Sequence, residues 1–148
     1  MRTSLLDAGH SLDGALPEVG RTLAEELLEP TAIYTDPMLA LAGHGLVHAA
    51  AHITGGGWSE NLPRMLPEGL GAVIDPRSWQ AQPIFGVVAA AAGLQPRALF
   101  DVLNMGIGMV AAVPAGEAGR VVEVCRSAGA EAIVVGEVVE GSGLSFAT

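Results

Sequence analysis

Residues 52–61 read HITGGGWSEN, a stretch that sets three consecutive glycines between an apolar run and a segment that favours helix. The pattern predicts a strand, a glycine loop and then a helix N-terminus. Glycine lacks a Cβ, so a ligand can approach such a loop closely. The N–H groups of the helix N-terminus favour an anion, with Asn61 and Arg64 one turn apart as further contacts. A tight turn with close strand–helix packing is an equally good interpretation.

The composition limits the class of protein. A chain of 148 residues is long enough for one domain with a real core. Its hydrophobic fraction of 50% and mean hydropathy of +0.44 indicate a large interior or a surface that a partner covers. The net charge is −9, and all seven basic residues are arginines. Nucleic acid and anionic membranes are therefore not expected as partners.

The sequence shows no recognisable membrane span or signal peptide, and this, together with the single cysteine, predicts a cytoplasmic location. The longest apolar run, residues 84–94, is shorter than the roughly 18 residues that a membrane-spanning helix needs. An acid at position 7 interrupts the N-terminus before the apolar region of a signal peptide develops. The single cysteine, Cys125, excludes an internal disulfide, and we expect it as a small core residue on a helix.

Outward from the glycines, helices and strands alternate irregularly. The strand before the glycines is predicted at residues 50–54, further strands at residues 31–34 and 72–75, and a buried strand at residues 132–139. Residues 104–114 are predicted as a turn that leads into a strand. Helices are predicted at residues 22–28, with Leu23 and Leu27 facing inward and Leu28 as a further core candidate, and from Asp36-Pro37 to Val47, with Asp36 as the N-cap. Further helices are predicted at residues 84–92, opened by Pro83 and ended by Gly93, and at residues 96–103 and 115–128. The tail from Gly141 is predicted as an edge strand or loose chain. The order favours a single α+β domain over residues 1–148, with a mixed β-sheet covered by helices.

His44, His48 and His52 are spaced four residues apart. On one continuous helix they would lie along one face and could bind a metal ion. No glutamate lies between them, Gly45 weakens the helix, and His52 is predicted on the strand. We therefore expect no metal site: His44 and His48 are predicted on a helix surface, and His52 beside the glycine loop.

A second glycine-containing segment, residues 104–109, reads NMGIGM. On a strand, Met105, Ile107 and Met109 would share one face and leave bare backbone at Gly106 and Gly108 on the other. Another element or a ligand could then lie directly on that face. Asn104 is expected to cap the turn or to contact a ligand.

The sequence displays no self-contained active site. It offers no serine–histidine–acid order, no paired cysteines and no phosphate-binding lysine, because the chain contains no lysine. The catalytic residues therefore stay unassigned.

Five blocks of sequence, in order, carry a family resemblance. They are LLEPTAIY (27–34), AHITGGG (51–57), ENLPR (60–64), NMGIGM (104–109) and VGEV (135–138). Together they resemble the C-terminal half of phosphoribosylformylglycinamidine cyclo-ligase, also called aminoimidazole ribonucleotide synthetase. The resemblance runs over nearly all of the chain and implies a mixed sheet with helices that is partly ferredoxin-like. Trp58 and Leu103 stand where phenylalanine is frequent in the family.

The resemblance implies part of a cytoplasmic, homo-oligomeric ligase of purine biosynthesis. The family uses ATP and magnesium to convert formylglycinamidine ribonucleotide to aminoimidazole ribonucleotide, ADP and phosphate. The N-terminal half, which binds most of the nucleotide, is expected to be absent here, so we expect the 148 residues alone to be inactive. The resemblance implies that one side of the substrate cleft is formed by the following residues: His52, Thr54, Gly55, Gly56, Gly57 and Asn61, with Asn104, Gly106 and Gly108 beside them.

Two alternatives stay open. The first is a stand-alone, non-catalytic phosphate- or nucleotide-binding or interaction module with the same fold. The second is another enzyme of the same superfamily, such as the hydrogenase-maturation or selenophosphate-synthesising proteins. The blocks around Pro30-Thr31 and Glu60-Asn61 favour the cyclo-ligase.

Overall fold

A computed structural model describes residues 1–147 as a succession of short helices and strands. The α-helices are α1 (Arg2–Asp7), α2 (Leu23–Leu27), α3 (Thr35–Gly43), α4 (Gly57–Asn61), α5 (Pro83–Ala92) and α6 (Ala118–Ser127). The strands are β1 (Ala15–Leu16), β2 (Arg21–Thr22), β3 (Ala49–His52), β4 (Leu70–Ile74), β5 (Met109–Ala112), β6 (Gly136–Glu140) and β7 (Gly143–Phe146). Short 3-10 helices cover Pro63–Met65, Pro96–Asp101 and Ala115–Glu117. No helix in this range is long and apolar enough to cross a membrane.

Within the described residues the strands form three small sheets. β1 pairs with β2, and β3 pairs with β5, both antiparallel. In the third sheet β4 lies between β6 and β7, antiparallel to the first and parallel to the second. The predicted α+β class with a mixed sheet is confirmed, although the strands are divided among separate sheets rather than joined in one.

The main hydrophobic core is built around the segment that contains the glycines. Ile53, Trp58 and Leu62 are each at most 2% exposed, and they pack in one cluster with Ile84 and Phe85 of α5. Burying a side chain of this size stabilises a fold by about 1.5–3 kcal/mol. The three glycines are therefore held between firmly anchored neighbours.

A second, smaller core lies between α3 and α6. Leu41 and Leu46 pack there against Val121 and Cys125. Cys125 is a buried core residue on a helix, as predicted. Burial raises the pKa of its thiol above the usual value, so the thiol stays protonated near neutral pH.

Two of the predicted strands need correction. Residues 31–34 follow Pro30 as irregular chain, and Ile33 is 82% exposed. Strand-like composition is not enough there, because among the described strands none pairs with these residues. The strand predicted as buried at residues 132–139 begins only at Gly136, and β6 is largely exposed. It lies at the edge of its sheet, with β4 as its neighbour on one side.

The helices differ from prediction mainly at their ends. α3 begins at Thr35, so Asp36 does not cap it, and it ends at Gly43 rather than continuing to Val47. Gly45, with φ of +64°, turns the chain there. The helix predicted at residues 96–103 is a 3-10 helix, and the helix predicted at residues 115–128 begins with a 3-10 turn. Leu28, predicted as a core candidate, is exposed. α5 matches its prediction from Pro83 to its left-handed cap at residue 93.

α2 begins with a capping box at Thr22. The N–H of Glu25 donates to Thr22 Oγ1 over 3.2 Å, and the Glu25 carboxylate accepts from the Thr22 N–H over 2.8 Å. Two hydrogen bonds lower the pKa of the Glu25 carboxyl below its usual value: the larger effect comes from the Thr22 N–H and the smaller from the Thr22 hydroxyl.

We expect Thr22→Ala to lower the free energy of unfolding by about 1 kcal/mol at neutral pH, measured in urea. Because the folded-state pKa of Glu25 is lowered, the stabilisation that its ionised carboxylate contributes to the capping box is fully present above the unfolded-state pKa. That part is lost as the pH falls through the folded-state value, so the difference between variant and wild type should shrink in acid. Thr31→Ala, in irregular chain, is the control, and an equal loss there would contradict the capping role.

Candidate functional site

The β3–β5 ladder brings the two glycine-containing segments together. β3 ends at His52 opposite Met109, the first residue of β5, and the N–H of Ile53 donates to the Gly108 carbonyl over 2.8 Å. In an antiparallel pair, the loop after one strand and the loop before the other leave the ladder at the same end. The glycine loop (residues 54–57) and the asparagine loop (residues 104–108) are therefore neighbours.

The side chain of Asn61 holds the glycine loop in place through hydrogen bonds. Its side-chain amide donates to the carbonyls of Gly57 over 2.7 Å, Gly55 over 3.1 Å and Thr54 over 3.4 Å. Asn61 is only 7% exposed. The sequence predicts Asn61 as a contact for substrate, whereas the structure gives its amide three partners in the loop itself. Its clearest role is to fix which way the loop carbonyls point.

The three glycines have different surroundings. Gly55 is exposed, and a Cβ built there would meet no atom within 4 Å. Gly56 has φ of +88°, and a Cβ would overlap the flexible carboxylate end of Glu60. Gly57 has φ of +57° and is buried, and a Cβ would lie 2.7 Å from the backbone at residues 101 and 102. Close packing thus explains the third glycine, while the first offers open backbone.

Free backbone donors are present at the open end of the loop. Among the hydrogen bonds formed within residues 1–147, none uses the N–H of Gly55 or Gly56 as its donor, whereas the N–H of Gly57 donates to the Thr54 carbonyl over 3.0 Å. N–H groups exposed in this way can donate to an anionic oxygen. The glycine loop therefore has two donors available to a ligand.

The asparagine loop is a turn that leads into a strand, as predicted. β5 begins only at Met109, so Met105, Ile107 and Met109 do not share one strand face. Asn104 Oδ1 accepts from the Gly106 N–H over 3.0 Å, which closes a side-chain turn. Met105 takes φ of +55°, unusual for a residue with a side chain, and is buried. The asparagine side chain is thus engaged within its own loop.

Side chains from elsewhere in the chain lie against both glycines of the asparagine loop, of which Gly108 is buried and Gly106 exposed. A Cβ at Gly108 would lie 2.8 Å from Cζ of Tyr34, whose hydroxyl rests on this glycine, and one at Gly106 would lie 2.7 Å from Oε1 of Gln82. Tyr34 also meets the ring of His52 edge-on, with centroids 5.8 Å apart. The glycines predicted a close neighbour at these positions. Sequence reasoning could not identify Tyr34 or Gln82 as that neighbour, because neither lies near the loop in sequence.

Ion pairs and polar bonds line the outer side of α4. Glu60 and Arg64, one turn apart, approach to 3.5 Å with both side chains largely exposed. The Ser59 hydroxyl donates to Asp101, and the Asp101 carboxylate lies 3.7 Å from Arg97. Exposed pairs of this kind contribute about 0.2–1 kcal/mol each. The carboxylates near the glycine loop thus have cationic or hydroxyl partners.

The histidines do not share a helix. His44 caps the C-terminus of α3, His48 lies in the loop that follows, and His52 ends β3. The helix on which the four-residue spacing would align them therefore does not exist. Within residues 1–147, no three histidine, cysteine or acidic side chains come close enough to hold a metal ion.

This arrangement of elements and loops belongs to a known class of domain. The family model for "AIR synthase related protein, C-terminal domain" matches residues 2–147, and the chain belongs to this family. The phosphoribosylformylglycinamidine cyclo-ligase of Bacillus mycoides (strain KBAB4) is 46% identical over 147 residues, which cover 99% of this chain and 42% of that protein. The cyclo-ligase of Bacillus cytotoxicus is 45% identical with the same coverage. The family resemblance in the sequence is confirmed, and the chain spans about two fifths of the length of the curated relatives it matches.

Solved structures with the same fold carry another name. Escherichia coli HypE, described as a hydrogenase maturation protein, superposes with a TM-score of 0.62 at 28% identity, over 92% of this chain and 45% of that one. A second E. coli HypE structure gives a TM-score of 0.61 at 26% identity. One fold thus occurs in proteins of different function, so the argument for function must come from the site and from sequence similarity.

Proposed function

We propose that this chain is the substrate-cleft domain of an ATP-dependent cyclo-ligase. The complete enzyme would convert formylglycinamidine ribonucleotide to aminoimidazole ribonucleotide in purine biosynthesis. The observation that carries the proposal is identity of 46% to a cyclo-ligase along 99% of the chain, against 28% to HypE. The matched residues include both loops, and identity of this size favours a shared ligand over a shared fold alone.

The chain's contribution is to bind and orient the ribonucleotide phosphate. The N–H groups of Gly55 and Gly56 would donate to phosphate oxygens at the open end of the glycine loop. Asn61 would keep the loop carbonyls turned away from the anion, because its amide holds three of them. His52, beside the loop, and Thr54, at its start, are exposed and would complete this side of the cleft.

ATP and magnesium would be held mainly outside these residues. The chain contains no lysine. Its described residues bring no three histidine, cysteine or acidic side chains close enough to hold a metal ion. No step through the nucleotide–magnesium group is therefore assigned to these residues. Activation of the substrate by ATP would fall to the part of the longer relatives that lies outside the match.

A substitution at Gly55 tests the phosphate assignment. Gly55 has ordinary φ and open space, so Gly55→Val should fold normally while its side chain stands over the free N–H groups. We expect the affinity for formylglycinamidine ribonucleotide, measured by calorimetry, to fall by about tenfold or more, as loss of charge-assisted hydrogen bonds implies. Gly116→Val is the matched control, because Gly116 is also exposed with nothing within 4 Å of a Cβ.

The outcomes separate the candidate functions. Equal affinity in wild type and Gly55→Val would remove the phosphate role of the loop. Tight binding of ATP without the ribonucleotide would favour a stand-alone nucleotide-binding module. ATP-dependent ring closure by the 148-residue chain alone would contradict its assignment as one domain of a larger active unit.

A further inference from the structure

The two tryptophans of the chain form a stacked pair beneath both loops. The rings of Trp58 and Trp79 lie 5.4 Å apart with an angle of 17° between their planes. Trp58 is fully buried, and Trp79 is packed against the same core. Phe100 contacts both rings, at 6.1 and 6.0 Å. We refer to Trp58 and Trp79 as the tryptophan pair.

Each indole N–H donates to a consecutive carbonyl of the asparagine loop. Trp58 Nε1 donates to the Asn104 carbonyl, and Trp79 Nε1 to the Met105 carbonyl, both over 2.9 Å. Met105 is the residue with φ of +55°. A residue with a side chain keeps this conformation only where its surroundings hold it. The pair therefore fixes the peptide units on either side of the strained residue.

Trp58 is also part of the other loop. It directly follows Gly57, and it lies in α4 together with Asn61, which holds the carbonyls of the glycine loop. The indole of Trp58 thus joins the element that carries one loop to the backbone of the other. A movement of either loop must shift this ring, because the core around it is closely packed.

We propose that Trp58 and Trp79 are positioning residues that couple the glycine loop to the asparagine loop, so that the two sides of the ribonucleotide site form together. The inference rests on the proposed function for the identity of the ligand, and on the observed hydrogen bonds for the coupling. Phenylalanine at either position would keep an aromatic ring in the core and would remove the donor to the loop.

Hydrogen exchange tests the coupling without any ligand. In Trp58→Phe and in Trp79→Phe, we expect faster exchange at the Gly106 and Ile107 amides, which donate to Asn104, and at the Gly57 amide. Leu41→Val, in the second core, is the control for a general loss of stability. If the tryptophan variants speed exchange at these amides no more than the control does, the coupling is refuted.

Ligand binding gives the second test. We expect the affinity for formylglycinamidine ribonucleotide to fall about threefold to tenfold in each tryptophan variant, and to stay unchanged in Leu41→Val. Unchanged affinity in both tryptophan variants would overturn the positioning role. If the wild-type chain binds no ribonucleotide but the exchange results hold, the proposed function fails and the coupling of the loops stands.

Intrinsic fluorescence gives a third test, which needs no variant. Both tryptophans of the sequence lie in the pair, so all tryptophan emission reports on it. We expect saturation with the ribonucleotide to change the intensity or wavelength of the emission. Unchanged emission, under conditions where calorimetry shows binding, would refute the coupling.

Discussion

Replacing Gly57 with alanine should destabilise the fold more than any other single-methyl addition in the glycine loop. The new Cβ would overlap the Phe100 carbonyl oxygen and lie 2.7 Å from Asp101 C and Val102 N. These are backbone atoms of a packed 3-10 helix and its end, which cannot rotate away as a side chain could. The left-handed φ of +57° adds strain. Together we expect a loss of about 4 kcal/mol in the free energy of unfolding.

The neighbouring glycines supply matched controls for urea unfolding. Gly55→Ala adds a methyl group in open space at ordinary φ, so stability should change by less than about 1 kcal/mol, with a slight gain favoured. Gly56→Ala should lie between, at about 1–2 kcal/mol, because its φ is left-handed but the three atoms nearest the added Cβ all belong to the exposed side chain of Glu60, which can shift. Equal losses at all three positions would contradict the packing described for Gly57.

Asn61→Asp should be the second most damaging change near the site. It replaces an amide that donates to three carbonyls with a carboxylate of the same shape that can only accept. The buried negative charge would face carbonyl oxygens at 2.7–3.4 Å. We expect a loss of about 3 kcal/mol or more at neutral pH.

The effect of Asn61→Asp should depend on pH in a defined direction. Burial and the facing carbonyls raise the folded-state pKa of the new carboxyl above the unfolded value of about 3.9. Below the unfolded value the group is protonated in both states and can again donate to one carbonyl, so the loss is smallest. The loss grows as the pH rises between the two values and is complete above the folded-state pKa.

Asn104→Asp is the control for this experiment. Asn104 Oδ1 accepts from the Gly106 N–H, and a carboxylate can accept the same bond. We therefore expect a change of less than about 1 kcal/mol at neutral pH, measured by urea unfolding as for Asn61→Asp. A loss at Asn104→Asp as large as that at Asn61→Asp would show that the direction of the Asn61 hydrogen bonds is not what matters.

Elements with local sequence signals were predicted well. α5 lies between Pro83, at its first turn, and the left-handed glycine at position 93, and both signals act within the helix they delimit. The strand, glycine loop and short helix of residues 49–61 follow the predicted order for the same reason. The α+β class also follows from the order of such signals along the chain.

Features that depend on distant partners could not be predicted. Residues 31–34 have strand composition, but pairing depends on a neighbour that composition does not encode. Gly57 and Gly108 both signal a close approach, yet their neighbours, residues 100–102 and Tyr34, are far away in sequence. The role of Asn61 was missed for the same reason: only the folded loop turns three carbonyls toward its amide.

The parallel pairing of β4 with β7 has a consequence for synthesis of the chain. Gly71 lies opposite Gly143 and Ile74 opposite Phe146, so β4 obtains this neighbour only after some 70 further residues are made. The contact of Arg97 with the ring of Phe146, whose centroid lies 3.7 Å from the guanidinium carbon, likewise forms only after residues 143–146 are made. On the ribosome, therefore, one edge of β4 and the apolar side chains nearby stay open until residues 143–146 emerge. Chaperone binding to the nascent domain should be strongest in that interval.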